Sequence, residues 1–227
     1  MTHKEVQNIA RSTMNYIHSI IKVGMSLSEL RSIAENKMFE LGATSFWYWG
    51  IGAFIFSGAD TTISVSGKEY LTAQRKIEKN DIITVDLSPQ WKDIWGDYAR
   101  TIIIEDGKVV EHANKVKNKE WQEGLITEDK LHNHLLNFVN TQTTFEQLYF
   151  YMNEQICSYG YKNLDFLGNL GHSIVKRKED RIYIEKGNAT KISDVSYFTF
   201  EPHIAKSCFG FKKENIYYFK GGRLEEL

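Results

Sequence analysis

A chain of 227 residues with 42% hydrophobic content can bury a full core, and its formal charge of −1 leaves no basic footprint for nucleic acid. Two cysteines without CxxC spacing exclude a disulfide framework and a thiolate zinc site, so Cys157 and Cys208 are expected as inert core residues. No apolar run is long enough to span a bilayer and the N-terminus lacks the apolar stretch of a secretory signal; the default expectation is a cytoplasmic protein without membrane partners.

Val6, Ile9, Ala10, Met14, Ile17 and Ile21 recur at helical spacing, as do Leu27, Leu30, Ile33, Ala34, Met38 and Leu41 after the Val23-Gly24 break, so two helices open the chain. The aromatic stretch 45–57 has no helical period and is punctuated by Gly50, Gly52 and Gly58, which predicts a buried strand with irregular flanks. Strands are predicted at 81–86 and 98–104, with Asp106-Gly107 as a hairpin turn into Lys108-Val109-Val110. Helices follow at 125–139 and 145–159, then strands at 181–185, 195–200 and 216–219, with Gly221-Gly222 as a turn. Helices precede strands in each half, an order that favours an α+β fold with central antiparallel strands covered by helices. No Pro/Ser-rich linker interrupts the chain, so one domain over 1–227 is expected, with halves of about 1–115 and 116–227 sharing one core.

Those halves look like diverged copies. Ser26 to Gly42 matches Thr144 to Gly160 at a constant offset of 118, each opening on a Ser/Thr-x-x-Glu/Gln capping box and closing on a glycine. Downstream, Thr84-Val85-Asp86 lies against Thr199-Phe200-Glu201 at an offset of 115, and Asp97 against Glu214 at 117. The only prolines, Pro89 and Pro202, each follow the first carboxylate of a pair, where a strand should end.

A carboxylate at the end of a buried strand costs several kcal/mol unless cation charge compensates it. Asp86 and Glu201 both follow apolar strand residues, and four acids gathered by an approximate two-fold axis would carry a charge that two divalent cations balance. His172, in the glycine-flanked segment Gly168 to Val175, is the candidate imidazole. Oxygen-rich ligation with one imidazole suits Mn, Co, Fe or Zn. Taken singly, each acid is more often a turn former or half of an ion pair, and a lone histidine more often a core residue; the repeat that places them as a set favours metal.

Val85-Asp86-Leu87, Gly96-Asp97-Tyr98-Ala99-Arg100-Thr101, Gly171-His172-Ser173-Ile174, Phe198 to Ile204 and Glu214 together resemble the five-ligand signature of the pita-bread metallopeptidases, the methionine aminopeptidases, Xaa-Pro aminopeptidases, prolidases and creatinases. The resemblance covers nearly the whole chain, in order. It implies a pseudo-two-fold pita-bread α+β fold in which Asp86 chelates one metal, Asp97 and Glu214 bridge both, and His172 with Glu201 completes the second. It also implies that Glu201 takes the proton of the attacking water. The stretch Asp97 to Thr101 is closest to the Xaa-Pro branch, with Ala99 in place of a threonine, while the length is that of a catalytic domain alone.

The departures bear on activity. The family keeps one histidine before the first aspartate and another soon after the ligand histidine; here those slots fall near Ser66 and Glu179, which become candidate substrate contacts. His203 replaces the glycine usual after Glu-Pro and is a candidate substitute donor, while Arg100 could steer a substrate carboxylate and Trp49, with its aromatic neighbours, could wall the pocket. The leading expectation is a dinuclear metal-dependent hydrolase, an aminopeptidase or Xaa-Pro-type peptidase acting on a short peptide or peptide-like metabolite. A non-catalytic metal- or peptide-binding protein on the same fold is the alternative, and a creatinase-like hydrolase working without metal a third. A homodimer is compatible with the sequence, which leaves the oligomeric state open.

Overall fold

The computed structural model describes residues 1–227 and contains four α-helices and thirteen short strands. Helix α1 spans His3–Ile20, α2 Leu27–Glu40, α3 Lys119–Phe138 and α4 Phe145–Ser158. Each begins on a side-chain oxygen, with Thr2, Ser26, Asn118 and Thr144 accepting the first-turn amides of Glu5, Glu29, Trp121 and Gln147. A reciprocal capping box closes α4, as its sequence predicts, whereas at α2 only the serine half forms and α1 carries a box between Thr2 and Glu5. Helix α3 starts at Lys119, ahead of the predicted Leu125, because the Glu105 carboxylate holds the amides of Lys117 and Asn118 and so fixes the cap.

The longest sheet is antiparallel and orders the strands Ala53–Ser57, Asp81–Leu87, Tyr98–Glu105 and Lys108–Val109. Its counterpart in the second half orders Arg223–Glu226, Asn215–Lys220 and Phe198–Phe200. The two ladders share a register: Val85 faces Arg100 in one and Phe200 faces Asn215 in the other, both partners displaced by the same 115 positions. Helices α2 and α4 end alike, on Gly42 and Gly160 with φ of 106° and 79°, a region that favours glycine.

Side chains alternate across a strand, and that alternation divides the core. Ile83, Val85, Leu87, Ile102 and Ile104 pack with the apolar faces of α1 and α2, while Ile82 and Ile103 join the cluster beneath α3 and α4. Two large apolar clusters therefore meet across one shared strand pair, with a smaller third one around Trp47 and Trp95. The predicted strand at 181–185 is reduced to an isolated bridge between His172 and Tyr183, because a 3-10 turn at Lys178–Asp180 precedes it and the Arg181 Nε donates back to the Lys178 carbonyl at 2.7 Å. Both cysteines are exposed and free, Cys157 on α4 beside the buried Ile156 and Cys208 in the turn before Gly210–Lys212, so the expectation of core cysteines fails. No helix is long and apolar enough to cross a membrane.

Candidate metal centre

The ends of the paired strands carry the acids to the seam between the halves. Val85 and Leu87 face the α1–α2 core, so Asp86 between them projects from the opposite face. Asp97 precedes the strand Tyr98–Glu105 and is gripped through its backbone by the buried Gln7 of α1, which accepts its N–H at 2.9 Å and donates to its carbonyl at 2.7 Å. The Glu214 amide donates to the Ala99 carbonyl at 3.0 Å, and that of Glu201 to the Leu170 carbonyl at 3.0 Å. His172 is laid against the strand Phe198–Phe200: its carbonyl accepts the Thr199 amide at 2.7 Å and its own amide donates to Thr199 Oγ1 at 3.1 Å.

Carboxylate oxygens of Asp86, Asp97 and Glu214 lie within 4.8 Å of one another, and His172 Nε2 lies 3.6 Å from both Asp97 Oδ2 and Glu201 Oε1. The structure thus brings together all five residues that the sequence singles out. Glu214 is wholly buried and neither of its oxygens has a hydrogen-bond partner. Burial pushes the Asp97 and Glu214 carboxyls well above the usual range, with Asp86 and Glu201 adding to the first and Asp97 to the second. Burial, reinforced by the nearby Arg181, lowers His172 to about 3, which keeps its ring neutral. Its Nδ1 lies 3.2 Å from the Ser173 carbonyl, so the proton belongs on Nδ1 and the Nε2 lone pair faces the acids.

One cation in the cluster has no place in the sequence reading. Lys212 Nζ lies 2.6 Å from Asp86 Oδ2 and 3.2 Å from Glu201 Oε2. Burial opposes its charge, yet Asp86, Glu201 and Glu214 outweigh that and hold the ammonium pKa well above the ordinary lysine value. Its signal was present, two positions before Glu214, where a locally extended chain turns both side chains to one face.

A cavity of about 120 Å³ leads to the acids between the aromatic rings of Trp47, Tyr48, Phe54 and Tyr183. Arg181 lies over the rings of Trp47, Tyr48 and Tyr183, and none of the protein's carboxylates pairs with it. His203 lines the same cavity, buried rather than solvent-facing, but its Nε2 lies 2.7 Å from the Thr61 carbonyl and its pKa falls to about 4 through burial and Lys212. The ring is therefore neutral with its proton committed to Thr61, and it offers the cavity an acceptor where a donor was expected. Ser66, Glu179, Trp49 and Arg100 do not line this cavity. Arg100 is spent on the carbonyls of Ala99 and Glu214 and on Asn215, behind the centre, and Trp49 is half exposed under Lys68 and Lys178. Those four are corrected as pocket contacts, and the cations that do line the cavity are Arg181 and Lys212.

The fold is the pita-bread fold: two equivalent α+β halves that bring acids from both and one imidazole to the seam. The chain belongs to metallopeptidase family M24, whose model matches residues 2–226. Among solved structures it is similar to an X-Pro aminopeptidase from Thermotoga maritima MSB8, at TM-score 0.80 and 19% identity over 98% of this chain and 58% of that one. A prolidase from Pyrococcus furiosus is similar at TM-score 0.81 and 19% identity over 98% and 61%. A methionine aminopeptidase from Thermotoga maritima is similar at TM-score 0.76 and 12% identity over 98% and 93%. The chain thus spans about three fifths of the first two. No curated protein sequence matches it.

The residues present fit a divalent cation. Glu214 is a buried carboxylate with no protein partner, the other donors are hard oxygens, and the single imidazole is neutral with its free nitrogen turned inward. Asp86, Asp97, His172, Glu201 and Glu214 are the side chains that would hold it.

Proposed function

We propose that this chain is a metal-dependent amide hydrolase, an aminopeptidase or Xaa-Pro-type peptidase acting on a short peptide or peptide-like metabolite. The observation that carries this reading is the orphaned Glu214 carboxylate inside a ring of three further acids and a neutral histidine. Divalent cations such as Mn, Co, Fe or Zn, of which the five donors can take up to two, supply Lewis acidity and lower the pKa of a water to about 7. Glu201 Oε1, on the cavity side and 3.6 Å from His172 Nε2, would be the proton acceptor for a water so activated. The aromatic walls bind the substrate's apolar side chain and exclude water, while the free edge of Arg181 receives a substrate carboxylate or carbonyl oxygen.

Release of free amino acid from a panel of Xaa-Pro and Met-initiated peptides, with added Mn or Co, tests this. Turnover that disappears in Asp97→Ala and His172→Ala supports the enzyme. Absence of turnover with every metal and peptide favours a binding protein on the same fold, a reading helped by the neutral, proton-committed His203 and by the absence of a histidine at Ser66 and Glu179.

A further inference from the structure

One acid of the cavity stands outside the ligand set. Asp165 lines the same cavity, in a turn closed by the Gly168 amide donating to the Asp165 carbonyl at 2.9 Å, and no lysine or arginine lies within ion-pair distance of it. Its carboxylate is fixed before any ligand arrives. Oδ1 accepts the amides of Leu167 and Asn169 at 2.9 Å and 3.0 Å, and the Asp165 amide donates to Asn163 Oδ1 at 3.0 Å. The second oxygen takes no hydrogen bond from the protein and is not sealed from solvent. Burial, with Glu201 nearby, raises this carboxyl to about 6, which leaves it ionised at pH 7. Cation charge held by the five ligands compensates their own acids, and Asp165 keeps an uncompensated charge.

The lining beside this carboxylate is apolar. Phe56, Ile63, Val65, Phe166 and Leu167 share the cavity with it, and Ile63, Phe166 and Leu167 remain 40%, 48% and 63% exposed. The Phe166 amide donates to Ser64 Oγ at 3.1 Å, which ties the turn to a loop of the first half. Apolar walls that end on a fixed acid match a run of methylenes that ends in a charged nitrogen, the build of a lysine or arginine side chain. An α-ammonium has no such stem and would leave those apolar side chains uncovered. Resting on the peptidase reading above, we infer that Asp165 is a specificity-determining residue that receives the cationic side chain of a basic residue in the substrate, with Ile63, Phe166 and Leu167 covering its stem.

The test compares tripeptides carrying Lys at the first or second position with their norleucine counterparts, which keep the α-ammonium and the stem but lose the side-chain charge. Affinity is read by calorimetry on full-length protein held metal-free with chelator, and kcat/KM with added Mn(II). At the position that reaches Asp165, Lys should be favoured by about 10- to 100-fold in affinity, as for a hydrogen bond to a charged group. Asp165→Asn keeps an oxygen for the Leu167 and Asn169 amides and should bring that ratio close to one, with thermal melts as the check on folding. Peptides with Nε-acetyl-lysine should bind the wild type as the norleucine peptides do. Failure of the metal-free protein to bind the Lys peptides, or equal affinity for Lys and norleucine at both positions, overturns the inference, as does a ratio unchanged in the variant. A variant that weakens Lys and norleucine peptides alike also overturns it, because it assigns the carboxylate to the α-ammonium. No turnover of any peptide with Mn(II) overturns the hydrolase reading, while the affinity ratio still decides the role of Asp165.

Discussion

Gly171→Ala should damage both stability and metal binding, and the structure sets the scale. Gly171 has φ of 134°, and a Cβ placed on it would lie 2.3 Å from the Thr199 carbonyl oxygen and 2.9 Å from the carbonyl carbon. Those atoms are backbone in a buried strand, so no rotamer can move them aside. Relief requires His172 to part from Thr199, through the 2.7 Å and 3.1 Å hydrogen bonds that hold the histidine in place. Backbone strain of about 1–3 kcal/mol and an overpacking cost of about 1–3 kcal/mol add to roughly 4 kcal/mol. At about 2–4 °C per kcal/mol for a chain of this size, the melting temperature should fall by roughly 8–16 °C. Gly168→Ala is the control, because its φ of 75° carries the same kind of strain while nothing lies within 4 Å of the added carbon. Thermal melts of both, with Mn(II) titrations, separate the terms. If Gly171→Ala melts within a degree or two of Gly168→Ala and binds metal as the wild type does, the close approach of this segment to Thr199 does not position the histidine.

Other groups give independent tests. Glu214→Leu should stabilise the metal-free protein by about 1–3 kcal/mol, since it removes a buried carboxyl that has no hydrogen-bond partner, and should abolish the gain of about 2.7 kcal/mol that the wild type shows when metal exceeds its Kd a hundredfold. Melts with and without chelator check both, and a metal-free variant less stable than wild type would show that Glu214 is already satisfied. Glu128, 2% exposed, faces the Lys213 amide without reaching hydrogen-bond geometry, and burial raises its pKa well above the ordinary glutamate value. The unfolded chain loses this proton first, so the contribution of the protonated form is full below about 4.5 and is lost as pH rises through the folded value, by up to about 1.4 kcal/mol per pH unit. Urea melts should therefore show Glu128→Gln gaining on the wild type between pH 5 and pH 8; a constant difference would place the charged carboxylate in a compensated site. His132, between Tyr217 and the Lys213 carbonyl, has its pKa lowered well below 6.5 by burial, so stability is lost as pH falls below that value, and a residue without a titrating ring at 132 should flatten the profile there.

The five candidate ligands were legible because they stand at strand ends fixed by a repeated register, where apolar periodicity stops and a charge must be compensated. What sequence missed lies outside periodic structure or depends on long-range contact. Gln7 reads as an ordinary polar position on α1, and only its 2.9 Å and 2.7 Å contacts with the Asp97 backbone reveal its use. Arg181 sits in a segment predicted as a strand that is in fact turns, so its placement over Trp47 could not be read from alternation. The supposed substrate contacts Ser66 and Glu179 were assigned from slots vacated by absent histidines, and an empty slot carries no information about where its replacement points.

The repeat is used unevenly, and that unevenness is where the chemistry resides. Ser57 faces Ile83 in the first half as Ser173 faces Phe198 in the second, so the position equivalent to His172 is Phe56, and both line the cavity. By the offset of 117 that relates Asp97 to Glu214, the position equivalent to Lys212 is Trp95, fully buried and 5.6 Å from the His172 ring. The two-fold frame thus delivers acids from both sides but an imidazole and an ammonium from only one, with aromatic rings in the matching places of the other. A symmetric cluster of four acids would treat two metal positions alike. Here Lys212 borders Asp86 and Glu201 but not Asp97 or Glu214, so the side chains break a symmetry that the backbone of the two halves retains.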